Sequence, residues 1–393
     1  MAKKWISIWK MPHVKKGLIP TNYSHRTCRL VVKSNLSGDA LRIKLNNESG
    51  TSYVRLDAAS ACVCDKYGTF TGVPVKLTFE DKPKAILSAG KTLVSDDVKL
   101  DIPQGSYIAI SLYFNSRASV VSGNVVSEKF LVSKTGDFTM QDTMNCDSTL
   151  LKAVGAVKRI AFSASSAEAL NPCGLISEVQ VFNSERINTS CVVLLGDSTA
   201  KKSGFVDYLR AAFEEKYPGR YQLIDSTINS NRLIYDGGKN KGESGSTRME
   251  KDALNALGVS AVILMLGAND IALPGTNGVP VKEAVIAQQL VNTYKEMINK
   301  AREKGVKVYG MTIPPICDSA VYSEEIENRR QNVNNWFREK GSKRFDGVID
   351  IASVLEDSAV PGQKNKAYYT DKGEINVAGA KAMVECINFK KFF

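Results

Sequence analysis

Cys191-Val-Val-Leu-Leu-Gly-Asp-Ser-Thr199 is the stretch on which the fold turns. A short run of apolar and β-branched residues closing on a glycine reads as a buried strand. Gly196, lacking Cβ, allows a sharp turn there. The turn places Asp197 and Ser198 at the carboxyl end of the strand, where open α/β sheets bind ligands. A serine held at the entrance to a helix can be a nucleophile whose oxyanion meets backbone N–H groups. It can equally be a helix cap without chemistry.

From this strand to the C-terminus, strands and helices alternate. Helices are expected over Gly204–Tyr217, Thr247–Leu257, Val281–Lys304, Ser323–Lys340 and Val377–Ile387. Between them lie strands Gln222–Ile228, Ala261–Leu266, Val306–Thr312 and Gly347–Ile351. In the first helix Phe205, Tyr208, Leu209, Ala212 and Phe213 form one apolar stripe, which is core. The alternation implies βαβ units on a parallel sheet: an α/β three-layer sandwich over residues 188–393.

Residues 1–187 read differently. Short alternating stretches recur at Cys28–Lys33, Leu41–Leu45, Val75–Phe79 and Ser106–Tyr113. Lys158–Phe162 and Ile176–Phe182 could add late strands. Turn signals separate them, such as Ser37-Gly-Asp39, Glu48-Ser-Gly50 and Pro103-Gln-Gly105. Many short strands argue an all-β sandwich or jelly roll. Trp5 and Trp9 alternate on a first strand and read as core before sugar-stacking surface. The boundary falls near Glu185 to Thr189, where the period changes.

The chain has 393 residues, 43% apolar and 24% charged, ordinary for two soluble domains. No apolar run reaches a membrane span, and the N-terminal run is too short for a signal-peptide core. A cytoplasmic protein, or one whose leader has been removed, is expected. The eight cysteines are scattered and read mostly as buried thiols. Only two histidines exist, His13 and His25, so no His-based metal site is expected, and no motif implies a cofactor. Net charge is +11. That would suit nucleic acid or an acidic polymer such as a uronate-bearing polysaccharide. The basic residues are dispersed, however, without an arginine cluster among aromatics, and a solvated basic surface accounts for them. No nucleic-acid or membrane partner is expected, and the sequence leaves the oligomeric state open.

Four loops at strand ends hold unusual residues: Gly196-Asp-Ser-Thr199, Ile228-Asn-Ser-Asn-Arg-Leu-Ile-Tyr-Asp-Gly237, Gly267-Ala-Asn-Asp270 and Asp371-Lys-Gly-Glu-Ile-Asn-Val-Ala-Gly379. All four would converge on one rim. Gly242-Glu-Ser-Gly-Ser246 lacks the last glycine and the strand of a nucleophile elbow and reads as loop.

The order of these motifs resembles the GDSL, or SGNH, hydrolases across the whole second half. Asn231-Arg-Leu-Ile-Tyr-Asp236, Arg330-Gln-Asn-Val-Asn-Asn-Trp336 and the β-rich first half are similar to a two-domain branch of carbohydrate acetyl esterases. The resemblance implies a flavodoxin-like sheet and ester hydrolysis through an acyl-enzyme. It implies Ser198 as nucleophile and Asp371 as the triad carboxylate. It implies an oxyanion hole from the Ser198 backbone, residue 230 and the Asn269 amide. Asp197, Asn231, Arg232 and Asp270 would shape the substrate site, unless Arg232 and Asp236 simply pair with each other.

Two positions depart from the family pattern. The histidine expected three residues after Asp371 is Glu374, and the glycine before Asn231 is Ser230. A Ser230 N–H survives, so that loss is mild unless the turn needs positive φ. Glu374 could serve as base if Asp371 shares its proton and burial raises its affinity. It could also be a first-turn helix carboxylate. His13 or His25 would have to reach the rim from the first half, for which spacing offers no argument. Three functions follow: a serine esterase removing acetyl or another small acyl group, with a saccharide ester as substrate; a degenerate hydrolase kept as a glycan-binding or scaffold module; or an acyltransferase using the same Ser198.

Overall fold

The structure is a computed structural model and describes residues 5–15, 20–124, 128–146, 174–185, 188–237, 241–276, 278–317 and 322–393. The expected strand Lys158–Phe162 lies outside these. The chain divides into two compact units, Met1–Ser190 with Tyr217–Gln222, and Cys191–Lys216 with Leu223–Phe393.

The first unit is built mostly of antiparallel sheets. One five-stranded sheet joins Trp5–Lys10, Ile176–Phe182, Gly38–Asn46 and Thr92–Val94, with Val98–Ile102 also paired to Gly38–Asn46. The other runs Lys129–Val132, Arg26–Lys33, Tyr107–Phe114, Ala58–Cys64, Val75–Lys76. The strand expected over Val75–Phe79 is thus two residues long. Trp9 is buried, while Trp5 is part-exposed with the Arg42 guanidinium 4.2 Å from its ring centroid. Arg29 is fully buried without a carboxylate partner among its described hydrogen bonds. Its guanidinium donates to the carbonyls of Gly68, Phe138, Gln141 and Asp142 and to Ser111 Oγ, and lies over Phe70. Burial pushes Arg29 down to about 10, so it stays cationic at neutral pH.

From Ser190 onward the strands are β1 (Ser190–Asp197), β2 (Tyr221–Ile228), β3 (Val259–Met265), β4 (Lys307–Met311) and β5 (Gly347–Ile349). The helices are α1 (Ser198–Lys202), α2 (Phe205–Lys216), α3 (Gly245–Met249), α4 (Ala268–Ala272), α5 (Ala287–Glu303), α6 (Glu324–Glu339), α7 (Ile351–Leu355), α8 (Val377–Glu385) and α9 (Phe389–Phe392). The sheet order is β2-β1-β3-β4-β5, and the described pairings β1–β3, β3–β4 and β4–β5 are parallel. This is the flavodoxin-like order, whose switch point lies between the carboxyl ends of β1 and β3. The central strands are apolar on both faces because helices cover both.

Several boundaries differ from expectation for local reasons. The helix expected from Val281 is a single 3-10 turn, and α5 starts at Ala287, where the Gln289 side chain accepts from Ile286 N. Val281 and Ile286 are exposed, so the buried stripe begins only at Leu290. The helix expected from Thr247 starts at Gly245, capped by Ser244, and passes into a π turn over Glu250–Leu254. Gly242–Ser246 is therefore half helix start, not loop alone. β5 stops at Ile349 because the Asp350 side chain accepts from Ser353 N and opens α7. Gly196 is not a turn: β1 runs through it, and a Cβ there would stand 3.1 Å from Met265 O. The positive-φ glycine is Gly267, φ 104, at the end of β3, where a Cβ would strike the Tyr294 hydroxyl.

Candidate active site

Ser198 opens α1 at the carboxyl end of β1. The residue before it, Asp197, is the N-cap; its Oδ1 accepts from Thr199 N at 2.8 Å. Asn269 sits in the first turn of α4, at the carboxyl end of β3. The two sides of the switch point are tied directly: Asn269 Nδ2 donates to Asp197 Oδ2 at 2.7 Å and to Asn231 O at 3.0 Å. Both amide hydrogens of Asn269 are thereby engaged, so an oxyanion reaching this amide must displace one of them.

A pocket of about 310 Å³ opens here, lined by Ser198, Thr199, Lys202, Asn269 and Glu374. Ala268, Ala272 and the run Pro314-Pro315-Ile316 supply an apolar side. Lys364, Tyr369 and Lys372 complete a polar rim with three lysines against one glutamate. Ser198 and Lys202 are one helical turn apart, hence on one face of α1. Lys202 Nζ stands 3.1 Å from Glu374 Oε1, both side chains half-exposed. Ser198, Lys202 and Glu374 therefore meet at one rim.

Asp371 is not brought to it. Residues 370–374 form a tight turn, with Gly373 N donating to Thr370 O and Thr370 N to Glu374 O, each at 2.8 Å. Gly373 takes φ 73 to close it. Glu374 falls at the base of this turn, beside the pocket; Asp371 falls at its corner, exposed and outside the lining. No hydrogen bond joins the two carboxylates among the described residues, so the expected shared proton has no geometric counterpart. His13 bonds to the carbonyls of Met11 and Gly174, and His25 to Asn115 Oδ1, all within the first unit.

Ser230 occupies the left-handed region at φ 53. It is the third residue of the turn Ile228–Asn231, closed by Asn231 N to Ile228 O at 3.2 Å. A turn with positive φ at that position favours glycine, so the departure at Ser230 is a strained one.

The four residues expected to shape the substrate site are buried and spent inside the protein, and none lines the pocket. Asn231 donates to the carbonyls of Lys241 and Glu243. Arg232 pairs with Glu283 at 2.6 Å and donates to the backbone carbonyl of Asp236. Asp270 accepts from Leu233 N and Ile234 N, clasping the second loop to α4. Burial pushes both Asp197 and Asp270 up to about 6, against the hydrogen bonds and nearby cations that pull them down.

Arg248 escaped the sequence reading. It is 1% exposed, with Nε donating to Asn231 Oδ1, Nη1 to Ser226 O and Nη2 to Gly196 O. One guanidinium thus fastens the end of β1, the end of β2 and the second loop. Nothing near Thr247-Arg248 in the sequence distinguishes it from an exposed helix arginine. Among the described residues no group of three or more His, Cys, Asp or Glu is arranged to hold a metal, and no helix is long and apolar enough to cross a membrane.

Residues 194–381 match the model of the GDSL-like Lipase/Acylhydrolase family. That segment is a GDSL-like lipase/acylhydrolase domain, a class of ester-cleaving enzymes, and it follows a first unit of mostly antiparallel sheets. Its likenesses among solved structures are low in score. A GDSL-like lipase from Bacteroides thetaiotaomicron aligns at 15% identity over 51% of this chain and 87% of its own, TM-score 0.38. An acetyl xylan esterase, AlAXEase, aligns at 18% identity over 50% and 96%, TM-score 0.37. No curated protein matches the sequence.

Proposed function

We propose that the second domain is a serine esterase that removes acetyl or another small acyl group from a carbohydrate through an acyl-Ser198 intermediate, with Glu374 in place of the usual histidine. The observation that carries this reading is that Ser198, Asn269 and Glu374 border one pocket. Ser198 Oγ attacks the ester carbonyl while its proton passes to the Glu374 carboxylate. Backbone N–H groups of Ser198 and Ser230, with the Asn269 amide, receive the oxyanion. The C–O bond to the alcohol then breaks, the proton returns to the leaving oxygen, and water repeats the sequence on the acyl-enzyme. Lys202 holds the Glu374 carboxylate at the rim. Asp197, Asp270 and Arg248 position the loops without touching substrate. The polar rim favours a hydroxylated alcohol part over a lipid chain. The same intermediate would serve an acyltransferase if an alcohol replaced water.

The test is the initial rate on an aryl acetate and on acetylated xylo-oligosaccharides, for wild type and Ser198→Ala, over pH about 5 to 9. Serine-dependent turnover is expected, with an apparent pKa that reports the base. Equal rates for the two proteins would overturn the reading. A second reading, glycan binding without turnover, draws on the engaged Asn269 amide and the exposed Asp371. Glu374→His separates the two: a large gain in rate means the remaining machinery is competent.

A further inference from the structure

A second pocket of the same domain, of about 470 Å³, lies between α5 and α6 on the far side from Ser198. α5 leads from the carboxyl end of β3 to the amino end of β4, and the segment after α6 leads into the amino end of β5. Arg302, near the end of α5, and Lys340, Lys343 and Arg344, after α6, therefore lie toward the amino ends of the strands. Lys295 stands two turns before Arg302 on the same helix face. Trp336 forms an apolar wall, backed by Tyr294, Phe337 and Phe345 at ring-centroid distances of 6.1, 5.4 and 5.8 Å. Glu339 is the one acidic residue among the lining.

Five cations thus share one concavity with one carboxylate, and among the described residues none of the five forms an ion pair. The bond described for them is Arg302 donating to the Arg344 carbonyl, which neutralises nothing. Elsewhere in this domain exposed lysines do find acids: Lys304 pairs with Glu250 at 2.8 Å and Lys251 with Glu243 at 2.9 Å. Unopposed like charges repel, and low-dielectric walls focus their field on whatever enters.

We propose that this pocket binds an acidic oligosaccharide segment, one carrying carboxylate or sulfate groups on successive sugars. The cations are spread along two helices and do not converge with backbone N–H groups on a single phosphate cradle. They are confined to one pocket and do not form the long stripe that tracks a nucleic-acid backbone. The part-exposed indole offers an apolar face to a sugar ring between the charges. The site is remote from Ser198 and stands independently of the esterase reading.

Calorimetric titration of the full chain with a uronate oligomer of about six sugars tests it, at low and moderate salt. Binding that weakens with salt is expected. The Lys295→Glu/Lys343→Glu variant should lose roughly tenfold or more in affinity, and Lys340→Gln/Lys343→Gln less, in step with the charge removed. Hydrolysis of a small aryl acetate, where present, should be unchanged in both. Undiminished uronate binding by the charge-reversed variant would overturn the proposal. So would equal binding of a neutral xylo-oligomer, or tighter binding of a short DNA duplex.

Discussion

Ser230→Gly should make this protein more stable, against the usual cost of introducing glycine. Ser230 sits at φ 53, where an L side chain crowds its own carbonyl by about 1–2 kcal/mol. No hydrogen bond of its side chain is described, so the substitution removes strain and little else. The added freedom of the unfolded chain takes back about 0.4–1 kcal/mol. The balance is a gain of about 1 kcal/mol, or about 2–4 °C in midpoint for a domain of this size. Ser230→Ala keeps the strain and should stay within about 0.5 kcal/mol of wild type. Ser230→Val, β-branched in the left-handed region, should fall below both. Urea denaturation of the full chain with calorimetry gives the ranking. If glycine and alanine behave alike, or glycine destabilises, the turn does not require positive φ and the reasoning fails.

The remaining expectations concern charge. Asp197 and Asp270 are held at about 6 by burial against an ordinary 3.8, a difference of about 2 units at ~1.4 kcal/mol each. Between those values the folded chain binds the extra protons, so each group adds up to ~3 kcal/mol as pH falls from about 7 toward 4. The urea midpoint should therefore rise between pH about 7 and 5; a falling midpoint refutes the assignment. Arg248→Met leaves the carbonyls of Gly196 and Ser226 and the Asn231 amide oxygen buried and unpaired, and should destabilise by about 3–5 kcal/mol, read from the same midpoint. Glu374→Gln breaks a half-exposed ion pair worth under about 1 kcal/mol. If Glu374 is the base, turnover falls by about 10²–10⁴ while the midpoint barely moves, and an unchanged rate removes it from the mechanism.

How much of this was legible in the sequence follows the range of each interaction. β1 and β3 are apolar runs closed by polar loops, and their pattern survives because both faces are buried. That the Ser198 and Asn269 loops meet at one rim follows from strand–helix alternation alone. Positions set by distant partners were not legible. Glu374 meets Lys202 across 172 residues, and Asp371 is turned to solvent by a tight turn that separates two carboxylates three apart. Asn231, Arg232 and Asp270 look like a polar substrate site because buried clasps and binding sites use the same residue types. The +11 charge seemed dispersed because Lys295, Arg302 and Lys343 come together only when α5 packs beside α6.

Arg29 carries a consequence for the motions of the first domain. Its guanidinium holds the carbonyls of Gly68 on one loop and of Phe138, Gln141 and Asp142 on another. Releasing any one of these acceptors leaves a buried cation under-solvated. The two loops therefore open as a single cooperative unit, so amide hydrogens that depend on the clasp share one opening free energy and exchange together. A protease that nicks near Gly136 would loosen the segment around Gly68 as well, although some 70 residues of chain separate them.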